Sequence, residues 1–113
     1  MKDDAVYLQH LKECIARIEE YTRGGHSAFL ASTLIQDGVI RNLQTLGQSV
    51  AKLSEDFKSG HPEVDWKSII GLRNVLVHDY LGINMTRVWE IVERDLPDLK
   101  QRLAAIRASL KSL

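Results

Sequence analysis

The sequence has one cysteine, two prolines and no net charge, and it contains no long hydrophobic run. A lone Cys14 permits neither an internal disulfide bond nor a cysteine-based metal cluster. The longest aliphatic stretch, at 69–72, is far too short to cross a bilayer. The acidic start at 1–4 lacks an apolar signal core, so we expect a cytoplasmic protein without a membrane segment.

The charge balance limits how the chain can bind polyanions. Fifteen basic residues are matched by fifteen acidic ones. Affinity for phosphates therefore cannot come from bulk charge and must depend on a few well-placed arginines. The 113 residues are enough for one compact domain, and we assign residues 1–113 to it.

The patterning predicts an all-α fold, an up-and-down bundle of about four long helices. Apolar residues recur at helical spacing in three seams. We expect these seams to face the core, and a face of so small a bundle to be covered by a second copy. The seams are Leu8, Leu11, Ile15 and Ile18; Val39, Leu43, Leu46, Val50, Leu53 and Phe57; and Val88, Val92, Leu96, Leu99, Leu103, Ile106 and Leu110.

Local signals set the expected helix boundaries. The first helix should follow a cap at Asp3 or Asp4 and end at Gly24-Gly25. The second helix should begin near Ser32 or Thr33, because Thr33 and Gln36 fit a capping box. A loop at 58–64 should precede a third helix capped by Asp65, and Asn84 should cap the last one. Pro97 either kinks that last helix or opens a fresh helix after Asp95.

Most conventional site signatures are absent. The sequence has no glycine-rich phosphate loop and no nucleophile elbow. The four histidines do not form a helical pair at metal-ligand spacing, so we expect neither a metal site nor a cofactor. His10, Glu13 and Cys14 share one helical face, but a solvated face beside a buried cysteine explains them better than a cation site does.

The segment 66–80 differs from plain core. On a helical wheel Arg73 falls in the middle of an apolar arc, where its permanent charge needs an anion or several acceptors. Asn74 and His78 lie four residues apart on a more polar side, where the amide can orient the imidazole. Arg73 and His78 are about 140° apart, so they converge only if the helix loosens after Val77 or if two copies meet. From spacing alone, an internal ion pair of Arg73 and a helix-terminal role for His78 are favoured.

The segment 73–80, Arg-Asn-Val-Leu-Val-His-Asp-Tyr, matches the R-x4-H-x-Y signature of the HEPN superfamily, in its HepT-like toxin branch. The resemblance extends over nearly the whole chain, in order. It includes residues 4–8, the stretch 40–43 with Gly47, the lead-in at 62–66 and the tail at 88–97. At 47–49 this chain has Gly-Gln-Ser where the family often has Gly-Glu-Ala, a change that bears on the wall of the cleft.

The resemblance implies that Arg73 and His78 are the catalytic pair of a metal-independent endoribonuclease, with Asn74 in a supporting role. It also implies a homodimer whose two motifs face one cleft, and a cognate MntA-like nucleotidyltransferase antitoxin that modifies Tyr80 with AMP. The chemistry is consistent with these residues, because a histidine can move protons near neutral pH and an arginine can hold a phosphate.

Two other classes of function stay open at this point. One is a non-catalytic nucleotide-binding or adaptor subunit that serves the nucleotidyltransferase as its substrate. The other is a purely structural helical dimer, which the intact motif disfavours. Cleavage of RNA by the purified protein separates the first interpretation, a toxin that cuts RNA, from both.

Overall fold

The computed structural model describes residues 2–77 and 84–111, excluding the side chains at 2, 73–75, 77 and 109–111. The described residues form helices and contain no strand, which confirms the all-α prediction. None of these helices is long and apolar enough to cross a membrane. The elements are α1 (Lys2–Tyr21), α2 (His26–Ala31), α3 (Thr33–Lys52), α4 (Glu55–Gly60), α5 (Trp66–Val77), α6 (Met85–Glu90), a π-helical turn (Ile91–Asp95) and α7 (Leu96–Lys111).

The core is built from the predicted seams. Helix α1 packs along α3, α3 packs against α5, and α7 lies against α1. The side chains of the α1 seam are all buried, as are those of the α3 seam up to Leu53. The last seam is buried apart from half-buried Val92, and its final side chain, Leu110, lies outside the described residues.

Contacts at the helix ends give the direction of packing. Gly38, near the start of α3, lies against the Tyr21 ring at the end of α1, so these two helices are antiparallel. The ion pair between Lys100 Nζ and Glu19 (2.9 Å) and the hydrogen bond from Arg107 Nη1 to Gln9 Oε1 (3.4 Å) likewise set α7 antiparallel to α1.

The predicted second helix is broken, because α3 ends at Lys52 and Leu53 is extended. Ser54 then begins α4, accepting a hydrogen bond from the Phe57 amide at 3.1 Å. Asp4 of the neighbouring helix α1 holds this break. Its Oδ1 accepts from the Ser54 amide at 2.8 Å, and its Oδ2 accepts from Ser54 Oγ at 2.7 Å. The predicted capping of α1 by Asp3 or Asp4 is therefore wrong, because both lie inside its first turn and Asp4 bonds elsewhere.

The connection between α1 and α3 contains a helix that the sequence did not predict. Helix α1 ends at Tyr21, before the two glycines, and Gly25 has a φ of 91°. The short α2 follows and buries Phe29. Ser32 caps α3 through the Ile35 amide at 3.1 Å. The predicted capping box is wrong, because Gln36 instead donates to the carbonyls that end α2.

The helical stretch around Pro97 contains a π-helical turn, and this turn combines features of the predicted kink and of the predicted fresh helix. Asn84 caps α6 as predicted, since its Oδ1 accepts from the amides of Thr86 and Arg87. The chain then stays helical through the π-helical turn into α7, where Pro97 is the second residue. Proline lacks the amide that would continue the regular ladder, and the Leu96 amide bonds to the Ile91 carbonyl, five residues back. A widened turn thus precedes Pro97 within a continuous helical stretch.

Candidate functional site

Helix α5 carries the first half of the signature, and its start is capped as the sequence predicts. Asp65 Oδ1 accepts from the Ser68 amide at 3.2 Å, and its Oδ2 accepts from Ser68 Oγ at 2.6 Å. These hydrogen bonds lower the pKa of Asp65 below its ordinary value, because they favour the ionised carboxylate. The cap pairs amides that the first turn of any helix leaves without partners.

Trp66 anchors α5 to the end of α4 and to the loop that follows it. Its side chain is buried, and its indole Nε1 donates to the carbonyls of His61 (3.0 Å) and Lys58 (3.2 Å). The Phe57 ring lies 6.0 Å from the Trp66 ring and 4.7 Å from the His61 ring. The predicted loop at 58–64 is wrong at its start, because Lys58 to Gly60 form the last turn of α4. The end of α4 and the shorter loop after it hold the first residue of α5.

Glu63 stabilises the same loop from outside. Its Oε2 lies 3.2 Å from His61 Nδ1. A hydrogen bond with its own backbone amide, followed by the one with His61, lowers the pKa of Glu63. The start of α5 is therefore held by backbone hydrogen bonds and aromatic contacts, and the loop before it by the contact between His61 and Glu63.

The register of α5 puts position 73 on the same helical face as residues that pack into the fold. Trp66 and Leu76 are buried, and Ile69 is half-buried; position 73 lies seven residues after Trp66 and three before Leu76. At about 100° per residue these positions share one face. Arg73 thus belongs to an apolar arc of the helix backbone, in agreement with the wheel drawn from sequence.

The remaining predicted site residues are divided by the end of α5. Asn74 lies in the helix backbone of α5, and its side chain, like that of Arg73, lies outside the described residues. His78 and Tyr80 also lie outside the described residues. The convergence of Arg73 with His78 stays a prediction.

Comparison with known proteins decides the family. The sequence model of the family described as ribonuclease HepT-like matches residues 11–106. The chain belongs to the HepT-like ribonuclease family. The predicted resemblance is thereby confirmed, as is the placement of the chain among ribonucleases. The match includes α5 and the whole segment 73–80 that carries the signature.

Individual relatives agree with this family. A probable ribonuclease HepT of Thermococcus cleftensis is 35% identical, over 89% of this chain and 93% of its own. A Methanocaldococcus jannaschii protein named for both gamma-glutamylcyclotransferase and RNase is 34% identical over 96% of this chain, which spans only half of that relative's length.

A solved structure supports the fold. The tri-AMPylated Shewanella oneidensis HEPN toxin, solved in complex with its MNT antitoxin, superposes with a TM-score of 0.72. The superposition covers 96% of this chain and 98% of the toxin, at 24% sequence identity. The arrangement of helices around α5 is therefore that of a HEPN fold.

Proposed function

We propose that this protein is the toxin of a toxin–antitoxin system, a metal-independent endoribonuclease that acts in the cytoplasm as a homodimer of single HepT-like domains. The observation that carries the proposal is the R-x4-H-x-Y segment, which starts on the anchored helix α5 inside the region matched to HepT-like ribonucleases. The likeness to the Thermococcus cleftensis ribonuclease supports the same activity.

The proposed mechanism uses the ribose 2′-hydroxyl of RNA as nucleophile. Its oxygen attacks the adjacent phosphorus while the bond to the 5′ oxygen breaks, leaving a 2′,3′-cyclic phosphate and a 5′-hydroxyl. His78 of one copy takes the proton from the 2′-hydroxyl, and His78 of the other copy donates a proton to the leaving oxygen. Arg73 holds the phosphate through two hydrogen bonds and stabilises its additional charge in the transition state. Asn74 orients the imidazole.

Cleavage of RNA by the purified protein tests this mechanism. Activity should persist in excess EDTA, and His78→Ala and Arg73→Ala should each abolish it while helical circular dichroism is unchanged. Arg73→Lys should also be poor, because an ammonium cannot reproduce the two-point hold on phosphate. Arg102→Ala is the matched control, because Arg102 is an exposed arginine of α7 paired with Asp98 at 2.9 Å. Full activity of His78→Ala would exclude the mechanism.

The homodimer is tested separately from the chemistry. We expect light scattering at micromolar concentration to give the mass of two chains. A monomer that still cleaves RNA at the wild-type rate would refute the shared cleft.

We further propose that a MntA-like nucleotidyltransferase inactivates the toxin by transferring AMP to Tyr80. The phenol oxygen attacks the α-phosphorus of ATP, pyrophosphate leaves, and the transferase takes the phenol proton. The adduct adds a phosphate and a base seven residues after Arg73. In the proposed site this phosphate competes with RNA for Arg73 by charge, and the base competes by volume. The AMPylated state of the Shewanella oneidensis toxin supports this proposal.

Mass spectrometry after incubation with the transferase and ATP should show AMP on Tyr80, together with loss of cleavage. If an active transferase still neutralises Tyr80→Phe completely, the toxin is inactivated by binding of the transferase and not by modification. A wild-type protein that binds the transferase but never cleaves RNA would instead be a non-catalytic substrate subunit.

A further inference from the structure

Glycines inside long helices need a reason, because glycine loses more backbone entropy on folding than alanine does. Gly38 of α3 has such a reason, since a Cβ there would lie 3.1 Å from Cε2 of Tyr21. Gly71 of α5 differs. Among the residues that the structure describes, a Cβ at Gly71 would meet no heavy atom within 4 Å. The described fold thus gives no steric reason for glycine at this position.

Gly71 is half-buried and lies on the side of α5 opposite its buried arc. Gly71 lies about 180° around the helix from the middle of the buried arc that Trp66 and Leu76 bound. Lys67 and Ser68, on the turn before it, are both exposed. Position 74 follows on the next turn, about 60° from Gly71. Position 74 therefore continues this side of α5 into the half of the helix that bears the signature.

We propose that the missing side chain of Gly71 leaves room for the sugar–phosphate backbone of RNA to lie against α5. This inference rests on the proposed ribonuclease function and adds to it the position where substrate comes closest to the helix backbone. RNA is favoured over a second copy of the chain because exposed Lys67 and Ser68 flank Gly71. Lysine and serine are depleted in protein–protein interfaces, whereas cations and hydroxyls bind phosphates.

Gly71→Ala separates stability from RNA contact. Alanine is the better helix former and has space in the described fold, so the Tm should rise by roughly 4 °C. The added methyl group should lower kcat/KM for a short oligoribonucleotide about tenfold, chiefly through KM, because it clashes with the bound sugar–phosphate backbone and weakens binding. Affinity for a non-cleavable 2′-O-methyl RNA should fall by a similar factor.

Gly60→Ala is the matched control. Gly60 is exposed at the end of α4, and a Cβ there also meets nothing within 4 Å among the described residues. This variant should bind and cleave RNA like the wild type.

Three outcomes would overturn the inference. The first is wild-type binding and cleavage by Gly71→Ala. The second is a loss of activity that parallels dimer dissociation in light scattering, because this result would assign the face of Gly71 to a second copy of the chain. A third is a wild-type protein that does not bind 2′-O-methyl RNA, which refutes the proposed function as well. A wild-type protein that binds this RNA without cleaving it refutes only the nuclease, and the affinities of the two glycine variants then decide the role of Gly71.

Discussion

Replacing Asp4 by alanine should lower the free energy of unfolding by about 2 kcal/mol, because a buried carboxylate that accepts two hydrogen bonds is lost. The Ser54 amide and hydroxyl then lose their partner at the break between α3 and α4. Ser54 is half-buried, so water replaces part of the lost bonding and keeps the effect near this value. For 113 residues the expected fall in Tm is about 8 °C.

The pH dependence of this effect identifies its cause. Burial opposes ionisation of Asp4, but the hydrogen bonds from Ser54 outweigh it and hold the pKa below the ordinary value of 3.8. A lowered native pKa stabilises the fold above the unfolded pKa, and this contribution is lost as the pH falls through the native value. The difference between wild type and Asp4→Ala should therefore be full at pH 7 and shrink below about pH 4.

The assay is chemical denaturation of wild type, Asp4→Ala, Ser54→Ala and the double variant at pH 7 and at pH 3. A coupling energy of about 1 kcal/mol or more between the two positions is expected at pH 7. Asp3→Ala is the control, because Asp3 is exposed in the same turn. Additive effects of the two substitutions, or a penalty that is as large at pH 3 as at pH 7, would refute the reasoning.

Three further substitutions test the anchoring of α5 and the docking of α2. Asp65→Ala should lower the Tm by a few degrees, and this loss should shrink below about pH 4 and vanish only below the lowered native pKa, where the carboxylate is protonated in both states. Trp66→Phe should cost about 1–2 kcal/mol in denaturation and lower RNA cleavage about tenfold or more, because two carbonyls lose their donor at the start of α5. His26→Ala should cost about 1 kcal/mol by removing a ring that stacks on Trp89 with centroids 5.0 Å apart, measured by thermal melting.

The predictable parts of the fold are those that local spacing decides. The caps at Asp65 and Asn84 were visible because each bonds to amides within three residues. The break after Lys52 was not visible, because the apolar spacing of Val50, Leu53 and Phe57 continues across it. The hydrogen bonds that hold the break are donated by Ser54 to Asp4, 50 residues away in sequence. Six-residue helices such as α2 are likewise too short for a period to be read.

The candidate site likewise has one part that local spacing predicts and one part that it does not. The position of Arg73 on an inward arc of α5 follows from helical spacing, and the burial of Trp66 and Leu76 agrees with it. Spacing alone separates Arg73 from His78 by about 140°, so their joint action depends on the chain beyond Val77 or on a second copy. The periodicity of one helix encodes neither the path of the chain beyond Val77 nor the presence of a second copy. The joint action of Arg73 and His78 is therefore predicted only by the family resemblance.

The contacts that hold the start of α5 link stability to catalysis, because a small tilt there displaces the far end of the helix. The helix is held at its first residue by the indole of Trp66 and just before it by the cap at Asp65, whereas the proposed chemistry begins at position 73. Seven residues of helix separate Trp66 from position 73, a distance of about 10 Å along the axis. A tilt of roughly 6° at the anchor therefore displaces position 73 by about 1 Å, and errors of that size cost about a hundredfold in rate. The contacts of Trp66 with Lys58 and His61, far from the signature in sequence, should consequently affect cleavage more strongly than they affect unfolding.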